Sequence, residues 1–420
     1  MIDKPFFRTI IFIIVGLITT FILLGAKVVF ERTDVGYRVE SYGYELLQSY
    51  LPSFSSREEM PLIVVDIGRL DGGTDEQPTP RDALKQIIGA IAKQNPRAIA
   101  LAIDFSLKEN GGWQDRNDPD FFDYCLSLRD DTGIPIFLGV GRSIKDPPDA
   151  WLGVKKYKSL AVGLDFQHPN TNKVFLWTRP ANTSEHLPSL SLALAKTYRE
   201  SLPTPPTLFA PMLAKIEDYD PKTEKLNEGE QGYAKALVNY SMLGVIETQS
   251  IPTRSAGSIE EFKERFRNKL VLIGRITEAR DRIRVVGRNQ DVPGVLLHAS
   301  AAYTLVESPL FELTHKSRFL IDLLLPLFIL IFVAVIRYRN RKNADYDWHR
   351  KEWRAFIITI ALVFVSGIIL VRWVGIIWFD FLIVIIALLF HPILEKAVGA
   401  RIDRWLKRMD KSAPAAEGVK

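Results

Sequence analysis

The chain of 420 residues has a single cysteine, Cys125, so no intramolecular disulfide framework can form. A core of this extent does not need one, even in an oxidising compartment. The short patterns that carry catalysis are missing too. There is no Walker loop, no His-Glu-x-x-His and no Gly-x-Ser-x-Gly, which sets aside P-loop nucleotide hydrolysis, zincin-type proteolysis and a nucleophile elbow. The six histidines are scattered, so no metal site and no cofactor are expected. "GVGR" (139–142) follows an apolar run and has the look of an anion cradle, but it lacks a third glycine and reads more readily as a turn.

Hydrophobic residues make up 47% of the chain and gather at its two ends. Runs at 10–26, 319–336, 355–371 and 376–394 are each about 17 to 19 residues long, near the lower limit for a membrane-spanning helix. They predict four transmembrane helices, at 10–30, 319–336, 355–371 and 376–394. The first is read as an uncleaved signal anchor, because "LGAKVVFER" offers no small-x-small cleavage site. Lys and Arg collect in the leader 1–9, in the loop 337–354 with seven, and in the tail 395–420 with seven, whereas the turn 372–375 has only Arg372. By the positive-inside rule both termini and the 337–354 loop are cytoplasmic, and residues 31–318 lie outside. The net charge of +5 therefore reports topology and not nucleic-acid binding.

Within 31–318, "YRVESYGYELLQSYL" (37–51) has helical spacing and continues the first span as a stalk. "PLIVVDIG" (61–68), "RAIALAIDF" (97–105) and "IPIFLGVG" (134–141) read as buried strands. Between them lie two helices. "TPRDALKQIIGAIAKQN" has Thr79 as cap, Pro80 at the first helical position, Asp82 completing a capping box, and Leu84, Ile87, Ile88 and Ile91 on one face. "DPDFFDYCLSLRD" is the second. This alternation predicts an α/β fold with a mostly parallel mixed sheet flanked by helices. "SLAVGLDF" and "KVFLWTR" are expected to form a hairpin, and "PSLSLALAKTYRES" a helix. "KALVNYS" and "NKLVLIG" are expected to resume the sheet, with "SIEEFKERFR" as a helix between them and "PGVLLHASAAYTLV" as the last helix.

Asp66 and Asp104 are expected at the carboxyl ends of two neighbouring parallel strands, the edge where open α/β sheets hold ligands. With Arg81, Asp281 and His298 they form the candidate ligand-binding cluster. Loop capping and salt bridging are the competing roles for the acids, and a satisfied core residue is the competing role for His298. Asp322, Arg372 and Asp380 are the polar residues of the predicted membrane region, with a signalling role, snorkelling or an Asp–Arg pair as alternatives. Leu394, Val398, Ile402, Leu406 and Met409 give the cytoplasmic tail an amphipathic pattern suited to the inner leaflet or a partner.

Several of these stretches resemble the CHASE sensory domain of the second type, an extracytoplasmic input module of bacterial cyclases and kinases. They are "IVVDI" (63–67), Pro-x-Pro-Arg (78–81), "PRAIALAIDF" (96–105), "PSLSLALAKTY" (188–198), "VNY" (238–240), "IPTRSA" (251–256), "FRNKLVLIG" (266–274) and "VPGVLLHASAAYTLV" (292–306). The family's tryptophans before Pro-x-Pro-Arg are absent. Asp281 is kept, without the family's Thr-Pro. The resemblance implies a multi-pass protein of the bacterial inner membrane that is a sensor and not an enzyme. Its outer domain would bind a small-molecule or protein signal, and it would act as a homodimer through a separate cyclase or kinase. The tail is too short for an output domain of its own. A metal-assisted hydrolase using Asp66, Asp104 and His298, and a structural subunit of an envelope complex, are the alternatives.

Overall fold

The computed structural model describes residues 60–339 and 348–377, most of 13–29 and 42–50, and positions 33, 401 and 404. Within 60–339 it leaves out 71–77, 108–111, 142–156, 165–172, 179–185, 200–201, 203, 214–231, 278–280 and 286–289. The described residues belong to two compact units, 44–312 with 371–377, and 1–43 with 313–370 and 378–420.

The larger unit is built on a parallel sheet. Strand β1 (Leu62–Asp66) leads to helix α1 (Arg81–Ala92), then β2 (Ala98–Leu101), α2 (Asp118–Thr132), β3 (Ile136–Val140) and β4 (Ala161–Gly163). β5 (Lys173–Thr178), β6 (Leu187–Pro188), α3 (Leu190–Tyr198), β7 (Gly232–Leu237), α4 (Leu243–Thr248), β8 (Ile251–Pro252), α5 (Ala256–Glu260) and β9 (Leu270–Gly274) follow. A β-hairpin, β10 (Arg282–Ile283) with β11 (Val292–Pro293), precedes α6 (Gly294–Glu307) and β12 (Phe311–Glu312). The six-stranded sheet runs β4-β3-β2-β9-β1-β8, and every pairing in it is parallel. All residues of β1, β2 and β9 are buried, as expected of strands covered on both faces. On one face α1 and α2 supply Leu84, Ile87, Ile88, Ile91, Phe121 and Phe122, packed with Ile63, Val65, Ile99 and Val271. α3 and α6 lie against each other and contact the same sheet through β2 and β1.

The order of the strands corrects the sequence reading. β1 and β2 are not neighbours, because β9, from far along the chain, pairs with both. The expected hairpin also divides: β4 extends the parallel sheet, while β5 pairs antiparallel with β6 and β7 in a separate three-stranded sheet. "KALVNYS" therefore does not resume the main sheet. Both strands of the supposed hairpin have the composition of buried strands, which does not say which partner each will meet. The two sheets join at Gly163, which bridges to Ser189. A Cβ at Gly163 would fall 2.0 Å from Thr178 Oγ1, so only a bare backbone fits there.

Local signals were obeyed with small shifts. The four apolar residues on the face of α1 are fully buried, but Pro80 is its N-cap and no side chain caps it. Thr79 instead accepts a hydrogen bond at its carbonyl from Arg81 Nη1 at 3.0 Å. Ser189 caps α3 by accepting from the Leu192 amide at 3.2 Å. "SIEEFKERFR" forms only the short α5 and a 3-10 turn, Lys263–Arg265.

In the smaller unit α7 (His315–Arg339) and α8 (Trp348–Ile369) are long helices, and the described residues between 13 and 29 are helical. Among the described residues no helix is long and apolar enough to cross a membrane. The leader, the stretch 378–394 of the fourth predicted span and nearly all of the tail, with its amphipathic pattern, lie outside the described residues. The start of the fourth run is not helical: after a π-helix, Leu370–Val374, residues Ile376–Ile377 form β13, parallel to β12. The Phe311 amide donates to the Gly375 carbonyl at 2.8 Å, so this turn is a strand of the α/β unit.

Gly163→Val sets a branched side chain against Thr178, and such overpacking costs about 1–3 kcal/mol. The expected outcome is a thermal unfolding midpoint several degrees below the parent's, whereas Gly257→Ala, where added atoms meet nothing closer than 3.7 Å, leaves it in place.

Candidate functional site

Asp66 ends β1 and is buried. Its Oδ1 accepts from the amides of Gly68 at 2.9 Å and Ile276 at 2.8 Å, and its Oδ2 accepts from the Thr277 hydroxyl at 2.6 Å. The carboxylate thus ties the loop after β1 to the loop after β9. Asp104, exposed after β2, does the same one strand over: its Oδ1 accepts from the amides of Ser106 and Gly141, both at 2.8 Å. A Cβ at Gly141 would lie 2.4 Å from Asp104 Oδ2. The glycine pair of "GVGR" therefore does receive an anion, and the anion is the chain's own carboxylate.

With β9 between their strands, Asp66 and Asp104 staple different pairs of loops. Asp281 stands elsewhere, at the start of α6. Its carbonyl accepts from the Gly294 amide at 2.9 Å, and burial pushes its carboxyl above the usual range. His298 is in the middle of α6, with its imidazole hydrogen-bonded to the Leu164 backbone, and burial lowers its pKa to about 4. The candidate cluster is therefore four separate places, and among the described residues no group of three or more His, Cys, Asp or Glu could hold a metal ion.

Arg81 is 1% exposed and belongs to a fifth setting. Its Nε donates to Asp118 Oδ1 at 2.5 Å, and the guanidinium lies 4.6 Å from the Phe105 ring centroid and 5.9 Å from that of Phe121. Phe105, Phe121 and Phe122 pack as an aromatic cluster that Trp113 and Tyr157 extend. The pair balances its charge inside the core and locks the start of α1 to the start of α2. Sequence reading missed Asp118, which lies at the start of α2 and offered no signal beyond helix-start chemistry.

A further polar assembly joins "VNY" to residues outside the candidate cluster. The Tyr44 hydroxyl, on the helical stretch 42–48, donates to the Val238 carbonyl. Gln48 Nε2 reaches the same carbonyl at 3.3 Å, and Gln48 Oε1 accepts from the Tyr240 amide at 2.9 Å. The Asn239 amide donates to Thr304 Oγ1 at 2.8 Å, and Asn239 Nδ2 to Ser308 Oγ at 3.1 Å. Beyond Ser308, Glu312 meets Lys173 at 2.7 Å. "VNY" is thus a clasp: Val238 and Tyr240 hold the segment entering the unit, and Asn239 holds the end of α6, from which the chain leaves. The motif itself was the available signal, but nothing local pointed to Tyr44, Gln48, Thr304 or Ser308.

Of the predicted membrane polar residues, Asp322 forms a salt bridge with Lys27. Arg372 is exposed in the π-helix, and Asp380 lies outside the described residues.

Comparison with known families gives one result: the model of the CHASE2 domain matches residues 16–336. No curated protein and no solved structure matches.

Two substitutions separate the stapling carboxylates. Both oxygens of Asp66 accept hydrogen bonds, so Asp66→Asn turns a donor against the Thr277 amide; at Asp104 one oxygen takes both bonds, and asparagine retains it. Asp66→Asn is expected to cost about 2–3 kcal/mol and Asp104→Asn about 1 kcal/mol, measured by thermal unfolding of the full chain. His298 gives a pH signature. Its unfolded pKa is near 6.5 and its folded pKa about 4, so the unfolded chain binds more protons between these values. The stability held above pH 6.5 is lost as pH falls towards 4, by about 3 kcal/mol in full. His298→Gln is expected to remove that part of the acid limb, read as the difference between the two melting curves across this range.

Proposed function

We propose, from the premise that the chain belongs to the CHASE2 domain family, that it is a membrane-attached sensor. Its α/β unit responds to a chemical signal and passes the response to the segments flanking it. The observation that carries this reading is the "VNY" clasp, since one three-residue segment holds both the incoming chain at Tyr44 and Gln48 and the outgoing chain at Thr304 and Ser308. A change of packing that moves this segment is felt at both ends of the unit. A relay needs such a shared element, because a signal acts only by binding two arrangements unequally.

Membrane attachment is supported by the surface of the helical unit. α7 turns Phe328, Phe332 and Val335 outward, and α8 does so with Ile357, Ile358 and Leu362, each more than half exposed. Apolar faces of that extent are rare on proteins surrounded by water and suit lipid. The multi-pass layout with an outer sensing domain, in a bacterial inner membrane, remains part of the proposal on the strength of the four apolar runs and the distribution of Lys and Arg. Output passes to a separate partner such as a cyclase or kinase, and the chain works as a homodimer. The cyclase or kinase is carried over from the family's role as an input module of such enzymes, its being a separate chain departs from that arrangement, and the homodimer rests on analogy with signalling receptors of this layout. A metal-assisted hydrolase is the weaker reading, because Asp66, Asp104 and His298 serve three separate sites.

The test is a thermal-shift screen of the full chain in lipid nanodiscs against metabolites and inorganic ions, followed by hydrogen exchange on the hit. A ligand that raises the melting temperature and changes exchange at 42–50 and 304–312 supports the reading. Asn239→Ala is expected to keep the thermal shift and lose the exchange change at 304–312. No hit from the library, or an exchange change that Asn239→Ala leaves intact, removes the clasp as the relay.

A further inference from the structure

In the smaller unit two charged groups face each other from opposite sides of the sensing domain in the sequence. Lys27, in the helical stretch before the domain, and Asp322, in α7 after it, form a hydrogen-bonded salt bridge. Both side chains are buried, 6% and 4% exposed. Along the first stretch Gly16, Thr20, Leu24 and Lys27 share the buried face, while Ile14, Ile18, Phe21, Ile22 and Val29 are exposed. On α7 Asp322 and Pro326, one turn apart, are buried, and Phe319, Leu324 and Phe328 are exposed. Thr20 satisfies its hydroxyl within its own helix, on the Gly16 carbonyl at 2.9 Å, and so needs nothing from α7. Lys27 and Asp322 therefore supply a directional contact between these two faces.

We propose that Lys27 and Asp322 are a register lock. They fix one axial and rotational setting of the incoming helical stretch against α7, so that the two segments move as a unit or the pair must break. The argument is electrostatic. Apolar helix faces can slide past one another with little penalty, because each setting offers similar packing. A buried charge cannot slide, since leaving its partner exposes it to a medium that does not solvate it. A buried ion pair between two helix faces thus specifies register in the way that one polar residue does in a coiled coil. This rests on the relay reading above, and gives it a second coupling point, on the stretches that precede 42–48 and follow α6 in the sequence. It also predicts that a signal cannot be transmitted by moving one segment alone by a helical turn while the pair remains closed.

The lock can be read without any signal, so its failure is distinct from failure of the sensory reading. In a Cys125→Ala background, Leu24→Cys is combined in turn with Ile321→Cys, Leu325→Cys and Phe328→Cys in the full chain in bilayer nanodiscs, and disulfide yield is measured. One dominant partner is expected with the native pair. Lys27→Met alone and Asp322→Leu alone are expected to lower its yield about tenfold, since each leaves a buried charge uncompensated. The exchanged pair, K27D with D322K, is expected to restore it. The doubly apolar pair, K27M with D322L, keeps the helices folded and is expected to spread the yield over all three positions, which separates loss of register from loss of folding. The proposal is overturned by no dominant partner in the native pair, by single variants that leave the pattern unchanged, by an exchanged pair that is folded but does not restore it, or by a doubly apolar pair that keeps one dominant partner.

Discussion

The parallel ladders on either side of β9 are the interactions on which the rest of the larger unit depends. β9 pairs residue for residue with β1, from Leu62↔Leu270 to Asp66↔Gly274, and with β2, from Ala98↔Leu270 to Leu101↔Ile273. Until it is inserted, β1 and β2 have no common edge and Asp66 lacks the Ile276 and Thr277 donors that satisfy it. Such ladders carry a loop-closure cost, because about 170 residues separate β9 from its β2 partners and more separate it from β1. The chain that follows β9 then becomes α6, which packs on the finished sheet. Insertion of one strand therefore also sets where the chain leaves the unit.

Several polar side chains of the described residues are met by a donor or acceptor far away in sequence, and so join two elements. Asp66 and Asp104 join loops at the sheet edge, Arg81 joins two helix starts through Asp118, and Asn239 joins the antiparallel sheet's exit to α6. At the sheet edge, the customary ligand location, Asp66 and Asp104 are engaged by the chain's own amides. The polar connections that could carry a conformational change run instead through residues 238–240. In the helical unit Lys27 and Asp322 likewise join two segments far apart in sequence.

Much of the architecture was legible in the linear chain because it follows from local periodicity. The β-branched runs at 62–66, 98–101 and 270–274, the apolar face of α1, the Ser189 cap and the extent of α6 each depend on residues within one or two turns. The family, too, could be recognised from ordered motifs, and the CHASE2 match over 16–336 bears this out. The candidate ligand cluster was read less well. Charged residues after strands look alike whether they await a ligand or a loop amide, and Asp66 and Asp104 receive amides from Ile276 and Gly141, each reached only through the fold.

By itself, then, the sequence determined which segments are helix or strand, which faces are apolar, and to which family the chain belongs, since burial of one face every two or 3.6 residues is written into neighbouring positions. Only the tertiary structure decided that β9 separates β1 from β2, that the expected hairpin divides between two sheets, that Arg81 meets Asp118, and that Asp322 meets Lys27. These are choices among distant partners of equal local quality. They are settled by which combination buries the strands on both faces while leaving the buried charges paired, and no local pattern contains that sum.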